Sequence, residues 1–401
     1  MKILIINDYL VYGGAEIQTL REKQILEKNG HEVYLITLDN NISENDQIYN
    51  SLKNFINIPT NYNYIRRNLH RIGILKIKSK LKADITRVLK EFSPDVVHLN
   101  NLNKEPFTVY KAVEKFKVVQ TLRDYSAVCP LGTCIKPDGT ICQGSEYNNC
   151  IKVCGDTLPK RMRFTLWKKI HQYRKKNIKK YIAPSLKLTE ICQKNGYDIE
   201  CINNSFDFEK YKNVEKKTDF NTKRFLYYGA VNINKGIMEL LNAFEIFQEN
   251  KNVELLIAGK LFEDVKPFLN EKIMQNNKIK YIGYLNYSEM MKTLENIHTI
   301  VVPSVWMENY PNTVLEGLSM EIFVIGSNRG GIPEMLANNR GYTFDIGNYN
   351  DIIDKLEKAY NLSEEDYSFI TKNNKNYTVD NNSLDKYYSR LIKNFKRISG
   401  S

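Results

Sequence analysis

Two glutamates eight residues apart, Glu308 and Glu316, stand in the segment Pro303-Ser304-Val305-Trp306-Met307-Glu308-Asn309-Tyr310-Pro311-Asn312-Thr313-Val314-Leu315-Glu316-Gly317. The segment leaves the apolar run Thr299–Val302, crosses a loop and enters a helix whose start suits Pro311, since proline loses no hydrogen bond there. Glu308 then lies in the loop, where a carboxylate can reach sugar hydroxyls. Glu316 lies one turn inside the helix and can accept hydrogen bonds from a ribose. Between them the amides of Asn312, Thr313 and Val314 open the helix and offer a site for a diphosphate. Two glutamates at this spacing also arise by chance, so their weight depends on the surrounding residues.

Glycine turns follow several apolar runs. Tyr12-Gly13-Gly14-Ala15-Glu16 follows the first, and Gly330-Gly331-Ile332-Pro333-Glu334 follows the one after Glu316. Glycines at a strand-to-helix turn let a ligand approach the backbone, and the next helix favours an anion. A plain tight turn reads the same way. The dinucleotide fingerprint G-x-G-x-x-G is absent from the first turn, which weighs against a nicotinamide enzyme.

These residues need a scaffold that brings loops to one edge. Apolar runs alternate with helix-length segments along the chain, which predicts parallel sheets covered by helices. The first series is Lys2–Asn7, Glu32–Thr37, Val96–Leu99, Val118–Leu122 and Lys180–Ala183. The second is Arg224–Tyr228, Glu254–Ala258, Lys280–Ile282, Thr299–Val302 and Phe323–Gly326. The expected class is α/β, with two doubly wound, Rossmann-like parallel-sheet domains that break near Asn203–Val214. Ligands of such sheets bind beyond the carboxyl ends of the strands, which predicts a site in a cleft between the domains.

The Glu308 segment resembles the retaining glycosyltransferases of family four, which have the GT-B fold. Their pattern P-S-x-x-x-E-x-x-P-x-x-x-x-E is matched by Pro303, Ser304, Glu308, Pro311 and Glu316. Further ordered matches cover nearly the whole chain: Gly13-Gly14, Gly30-His31-Glu32-Val33, Pro94 to His98, Asn204 to Asp207, Gly229 to Gly236 with Lys235, and Gly330 to Glu334. The resemblance implies an acceptor-binding domain over 1–205, a nucleotide-sugar-binding domain over 206–380, and a C-terminal helix within 381–401 that crosses back onto the first domain. It implies transfer of a hexose from a nucleoside diphosphate sugar to an acceptor hydroxyl with retention, and no cofactor for the chemistry.

By the same resemblance Glu308 contacts the transferred sugar and Glu316 the ribose, while Lys235 meets the diphosphate. Gly13 and Gly14 belong to the loop that approaches donor phosphate and acceptor. The donor's own phosphate takes the acceptor proton. Two positions depart from the family. Gly229 is followed by Ala230 where an arginine is frequent, with Lys260 and Arg329 as candidate replacements. A frequent His-Asp appears as Arg123-Asp124, and arginine cannot act as a base. Arg123 can instead contact a donor hydroxyl or carboxylate, or an acceptor phosphate.

Five cysteines, Cys129, Cys134, Cys142, Cys150 and Cys154, fall in one short stretch. A subset of the family has a similar Cys-rich loop, matched by Cys129, Cys142, Cys150 and Cys154, with Cys134 the most dispensable. Four thiolates can hold a structural zinc, although no C-x-x-C is present; reduced thiols and disulfides remain the other readings. His31 and His98 read as structural histidines, and His70, His171 and His298 have no partner motif.

The 401 residues, 42% hydrophobic, exclude disorder as the main state. No run is long enough to cross a membrane and no signal peptide opens the chain, so a cytoplasmic location is expected. The net charge of +12 sits in one half: residues 1–200 carry +13 and 201–401 carry −1. Its densest run, Lys160–Lys180, has ten basic residues and no acidic one, and a second lies between Arg66 and Lys90. Such a run is either a solvated helix face or an attraction to anionic surfaces. With the resemblance, it suits a saccharide acceptor linked to a polyprenyl diphosphate at the inner leaflet, as in capsule or O-antigen assembly. Trp167, Ile170 and Tyr173 inside the run fit either a membrane-grazing face or a core-facing one. No DNA or RNA motif is present. A non-catalytic sugar-nucleotide or glycan-binding protein and a sugar-nucleotide epimerase of the same architecture are the alternative readings.

Overall fold

A computed structural model describes residues 1–10, 13–40, 51–60, 79–102, 106–144, 147–212 and 214–400. Tyr12, His70 and the Arg66 end of the second basic run lie outside them. The chain forms two compact units, Met1–Ser205 with Leu384–Ser401, and Phe206–Ser383. Each is built on one all-parallel sheet, the expected class.

In the first unit, seven strands run in the order β3-β2-β1-β4-β5-β6-β7. They are β1 Lys2–Asn7, β2 Glu32–Thr37, β3 Phe55–Asn57, β4 Val96–Leu99, β5 Val118–Thr121, β6 Lys180–Ala183 and β7 Ile199–Cys201. The central strands are continuous apolar runs because helices cover both faces. Ile3, Ile5, Val33, Leu35, Val96 and Val119 share a core with Tyr387, Leu391 and Phe395 of the final helix, Leu384–Ser399. That helix is bound to the rest of the unit by polar contacts as well. The Tyr387 hydroxyl donates to Glu22 at 2.8 Å, and Tyr388 meets His31 at 2.9 Å.

The second unit has six strands in the order β10-β9-β8-β11-β12-β13. They are β8 Lys223–Tyr228, β9 Val253–Ala258, β10 Ile279–Gly283, β11 Thr299–Val302, β12 Phe323–Ser327 and β13 Tyr342–Phe344. Side chains alternate between faces with period two. Phe225 and Tyr227 enter one core, with Leu240, Leu241, Phe244 and Phe247 of the Ile237–Phe247 helix. Leu226 enters the opposite core, with Val314, Leu315 and Leu318 of the Asn312–Ser319 helix, and Tyr228 packs against that same core. The alternation therefore sends Tyr228 toward the helix that carries Glu316.

Candidate functional site

Because every strand of the second unit is parallel, the loops after β8, β10, β11 and β12 leave the same edge of the sheet. These loops hold Gly229 to Gly236, Tyr284, Ser304 to Pro311 and Asn328 to Gly331. After β8 the side chain of Asn232 accepts from the Lys235 amide at 3.1 Å and caps a short 3-10 turn, Ile233–Lys235. Gly236 closes the turn at φ +71°, and a Cβ there would stand 1.8 Å from the Pro303 carbonyl oxygen. The lysine turn and the glutamate loop are thus packed backbone to backbone. The Asn234 carbonyl ties them further, accepting from the amides of Val305 and Trp306 at 3.1 and 3.2 Å.

The Glu308 loop is held from its other side as well. Gly331 donates its amide to the Glu308 carbonyl at 2.6 Å. Gly330, at φ +61°, approaches so closely that a Cβ would lie 1.8 Å from that oxygen. Ser327 donates its hydroxyl to the Ser304 carbonyl at 2.7 Å. So fixed, Glu308 accepts from Lys235 Nζ at 2.5 Å and from the Ser304 hydroxyl at 2.8 Å, both on Oε1. The glutamate side chain is 15% exposed and the lysine 37%. Two of the residues expected to meet a donor are therefore already in contact.

Pro311, at φ −64° and ψ 128°, is the N-cap, and Asn312, Thr313 and Val314 are the first three residues of the helix. Their amides open the helix at its positive dipole end, which favours an anion. Glu316 lies one turn farther in. Its Oε2 accepts from the Tyr228 hydroxyl, whose own ionisation is pushed well above the ordinary tyrosine range by burial and then by the Glu316 charge. Sequence reasoning missed Tyr228; the signal was its alternation with Phe225, Leu226 and Tyr227. Tyr284, just beyond β10 on the same sheet edge, is an exposed aromatic. Of the two cations offered in place of Ala230, Lys260 turns onto Phe262, 5.6 Å from its ring centroid. Arg329 directly precedes Gly330.

In the first unit, Gly13 is the N-cap of the Gly14–Lys28 helix, whose first turn contains the buried Glu16. Arg123 donates from Nε to Asn100 Oδ1 at 2.9 Å and from Nη1 to Asn204 Oδ1 at 2.7 Å. Asp124 accepts from the Ser126 amide at 2.8 Å, capping the turn Tyr125–Ala127. Beneath them His98 is fully buried between Glu22 and Thr121. Burial alone would raise the Glu22 carboxyl, but His98, Arg123 and Tyr387 hold it below the ordinary carboxylate range. His98 is a core residue, as read from the sequence.

No disulfide is formed among the cysteines of the described residues. Cys134 is fully buried at φ +50°. Its thiol donates to Cys129 and, with the amides of Cys134, Leu131 and Thr133, holds the Cys129 thiol down to about 5. Among the described residues no group of three or more His, Cys, Asp or Glu side chains could hold a metal ion.

The basic run lies mostly on the Leu158–Asn177 helix. Its aromatic stripe faces the protein: Trp167 donates to the Ser126 carbonyl at 2.7 Å, and Tyr173 packs on Phe107 at 5.3 Å. Arg174 is buried, and Lys180 pairs with Asp198 at 3.0 Å. Arg163, Lys169, Lys176 and Lys179 are exposed. No helix of the described residues is long and apolar enough to cross a membrane.

This geometry can be set beside known proteins. Residues 207–377 match the family described as Glycosyl transferases group 1. The chain is 23% identical over 355 residues to an uncharacterized 42.6 kDa protein in the cps region of Klebsiella pneumoniae, covering 84% of this chain and 87% of that one. A glycosyltransferase structure from Rickettsia africae superposes with a TM-score of 0.72 at 18% identity, over 99% of this chain and 98% of that one. The Anabaena protein HepE in complex with UDP and glucose gives 0.70 at 14% identity, over 99% and 100%. The family match over residues 207–377 thus falls in the unit that carries the Glu308 loop, on a chain whose two parallel-sheet units are those of the GT-B fold.

Proposed function

We propose that this chain is a retaining glycosyltransferase that moves a hexose from a nucleoside diphosphate sugar to a saccharide acceptor. The observation that carries the reading is the contact of Lys235 and Ser304 with Glu308, one loop before a helix start followed by Glu316. In this reading the second unit binds the donor. Glu316 accepts from the ribose, and the amides of Asn312, Thr313 and Val314 face the diphosphate. Lys235, a compact cation, neutralises charge as the diphosphate leaves. Glu308 then orients the sugar hydroxyls, and a donor phosphate oxygen receives the acceptor proton. No protein nucleophile is needed. The first unit chooses the acceptor, with Arg123 held ready by Asn100 and Asn204 for an anionic group and Asp124 fixing the loop beside it.

A lipid-linked saccharide in surface polysaccharide assembly, capsule or O-antigen, is the acceptor class we favour, with docking on an anionic inner leaflet through Arg163, Lys169, Lys176 and Lys179. The relative from a cps region and the one-sided charge support it. Ala230, which removes a cation from the donor side, favours a second reading as a non-catalytic binder of sugar nucleotides.

The test is a thermal-shift titration with UDP, GDP, ADP and dTDP and their sugar conjugates, because a ligand of the native state raises the melting temperature. Stabilisation by one nucleotide, and most by one conjugate, is expected. Slow donor hydrolysis then separates enzyme from binder. No shift with any nucleotide overturns the donor assignment. Glu316→Ala is expected to weaken free nucleotide binding.

A further inference from the structure

The Tyr228 phenol is a polar group placed against a carboxylate at the edge of an apolar core. Strand alternation puts it on the face of β8 that the Asn312–Ser319 helix covers. There it donates to Glu316 Oε2 and contacts the Thr313 hydroxyl. Thr313 and Glu316 are three residues apart, so they share one helix face and both turn toward the same phenol. Glutamate has three rotatable bonds and ordinarily loses that freedom when it binds. A donor fixed in a rigid strand removes part of the loss beforehand and sets the plane in which the second oxygen accepts.

We propose that Tyr228, braced by Thr313, is a positioning residue that presents the Glu316 carboxylate to the ribose diol and so sets the preference for a ribonucleotide donor. The inference rests on the reading of Glu316 as the ribose contact. Tyr228 itself acts through Glu316, because its hydroxyl is spent on that carboxylate.

The test measures dissociation constants of the full chain for UDP, GDP and ADP and for their 2′,3′-dideoxy counterparts, in the wild type, Tyr228→Phe, Thr313→Val and Glu316→Gln. The wild type is expected to prefer the ribonucleotide that it binds by at least about tenfold over its dideoxy form. Tyr228→Phe is expected to weaken the ribonucleotide about tenfold and the dideoxy form less than about twofold; Thr313→Val shifts the ratio in the same direction by less. Equal weakening of both ligands by Tyr228→Phe means lost packing and overturns the proposal, as does an unchanged ratio. If Glu316→Gln also leaves the ratio unchanged, or if no diphosphate binds the wild type, the ribose reading fails and the proposal falls with it. A ratio collapsed by Glu316→Gln but untouched by Tyr228→Phe and Thr313→Val removes Tyr228 alone. Melting temperatures confirm that each variant is folded.

Discussion

Lys235 Nζ lies 2.5 Å from Glu308 Oε1, and the same oxygen takes the Ser304 hydroxyl at 2.8 Å. The lysine belongs to the turn after β8 and the glutamate to the loop after β11, so the ion pair joins two loops that the sheet only brings near each other. In the proposed reaction, a diphosphate competes with Glu308 for the lysine and leaves the carboxylate oxygen to the sugar.

Glu308→Gln keeps the shape and the Ser304 contact but removes the charge. Turnover is expected to fall on the order of 100-fold, while the dissociation constant of the free nucleotide changes little. Single-turnover kinetics with titration of the nucleotide check both halves, and unchanged turnover would remove Glu308 from the reaction.

Gly330→Ala tests the pinning of the same loop. An alanine at φ +61° is strained by about 1–3 kcal/mol, and its Cβ would overlap the Glu308 carbonyl oxygen at 1.8 Å. The expected result is a melting temperature several degrees lower, together with loss of activity. Wild-type stability would show that the backbone yields there at no cost.

Acid should unfold the chain through two histidines. Burial, followed by neighbouring cations, lowers His171 to about 4 and His298 to about 3, from an ordinary 6.5. The unfolded chain therefore binds more protons below pH 6.5. Stability fully present above that value is lost as the pH falls toward 4 and 3, by at most about 1.4 kcal/mol per pH unit for each proton. Melting curves between pH 7.5 and 5 should show the decline, and His298→Gln should flatten it. A wild-type slope in that variant would exclude His298 as a source.

Cys129 should be the first cysteine to alkylate. With its thiol held near 5 by the Cys134 S–H and three amides, it is a thiolate at pH 6.5, and the thiolate is the reactive form. Peptide mass spectrometry after brief iodoacetamide treatment is expected to find it labelled ahead of Cys142 and Cys154, whose thiols burial pushes up. Cys134→Ala should slow the labelling. Labelling led by another cysteine, or no effect of Cys134→Ala, would count against the assigned hydrogen bond.

Much of the fold was legible because its central strands are long apolar runs: β1, β2, β4, β6 and β11 stand where the pattern put them. The strands that escaped notice, β3, β7 and β13, have three residues each and lie at sheet edges, where one side lacks a neighbour. Three residues are too few for a periodicity to appear. The Glu308 loop was legible through its motif and Pro311, whereas Tyr228 was hidden because its partner is remote in sequence. The aromatic residues of the basic helix were equally consistent with membrane and core. The hydrogen bond from Trp167 to Ser126 and the packing of Tyr173 on Phe107 settle their direction.

The final helix has a consequence for biosynthesis. Tyr387, Leu391 and Phe395 fill the core of the first unit, yet every residue of Phe206–Ser383 precedes them in the chain. A ribosome releases the whole second unit before it supplies these three side chains. The half translated first is therefore completed last, and during elongation its sheet must wait with an open apolar face, the period when chaperones have most to protect.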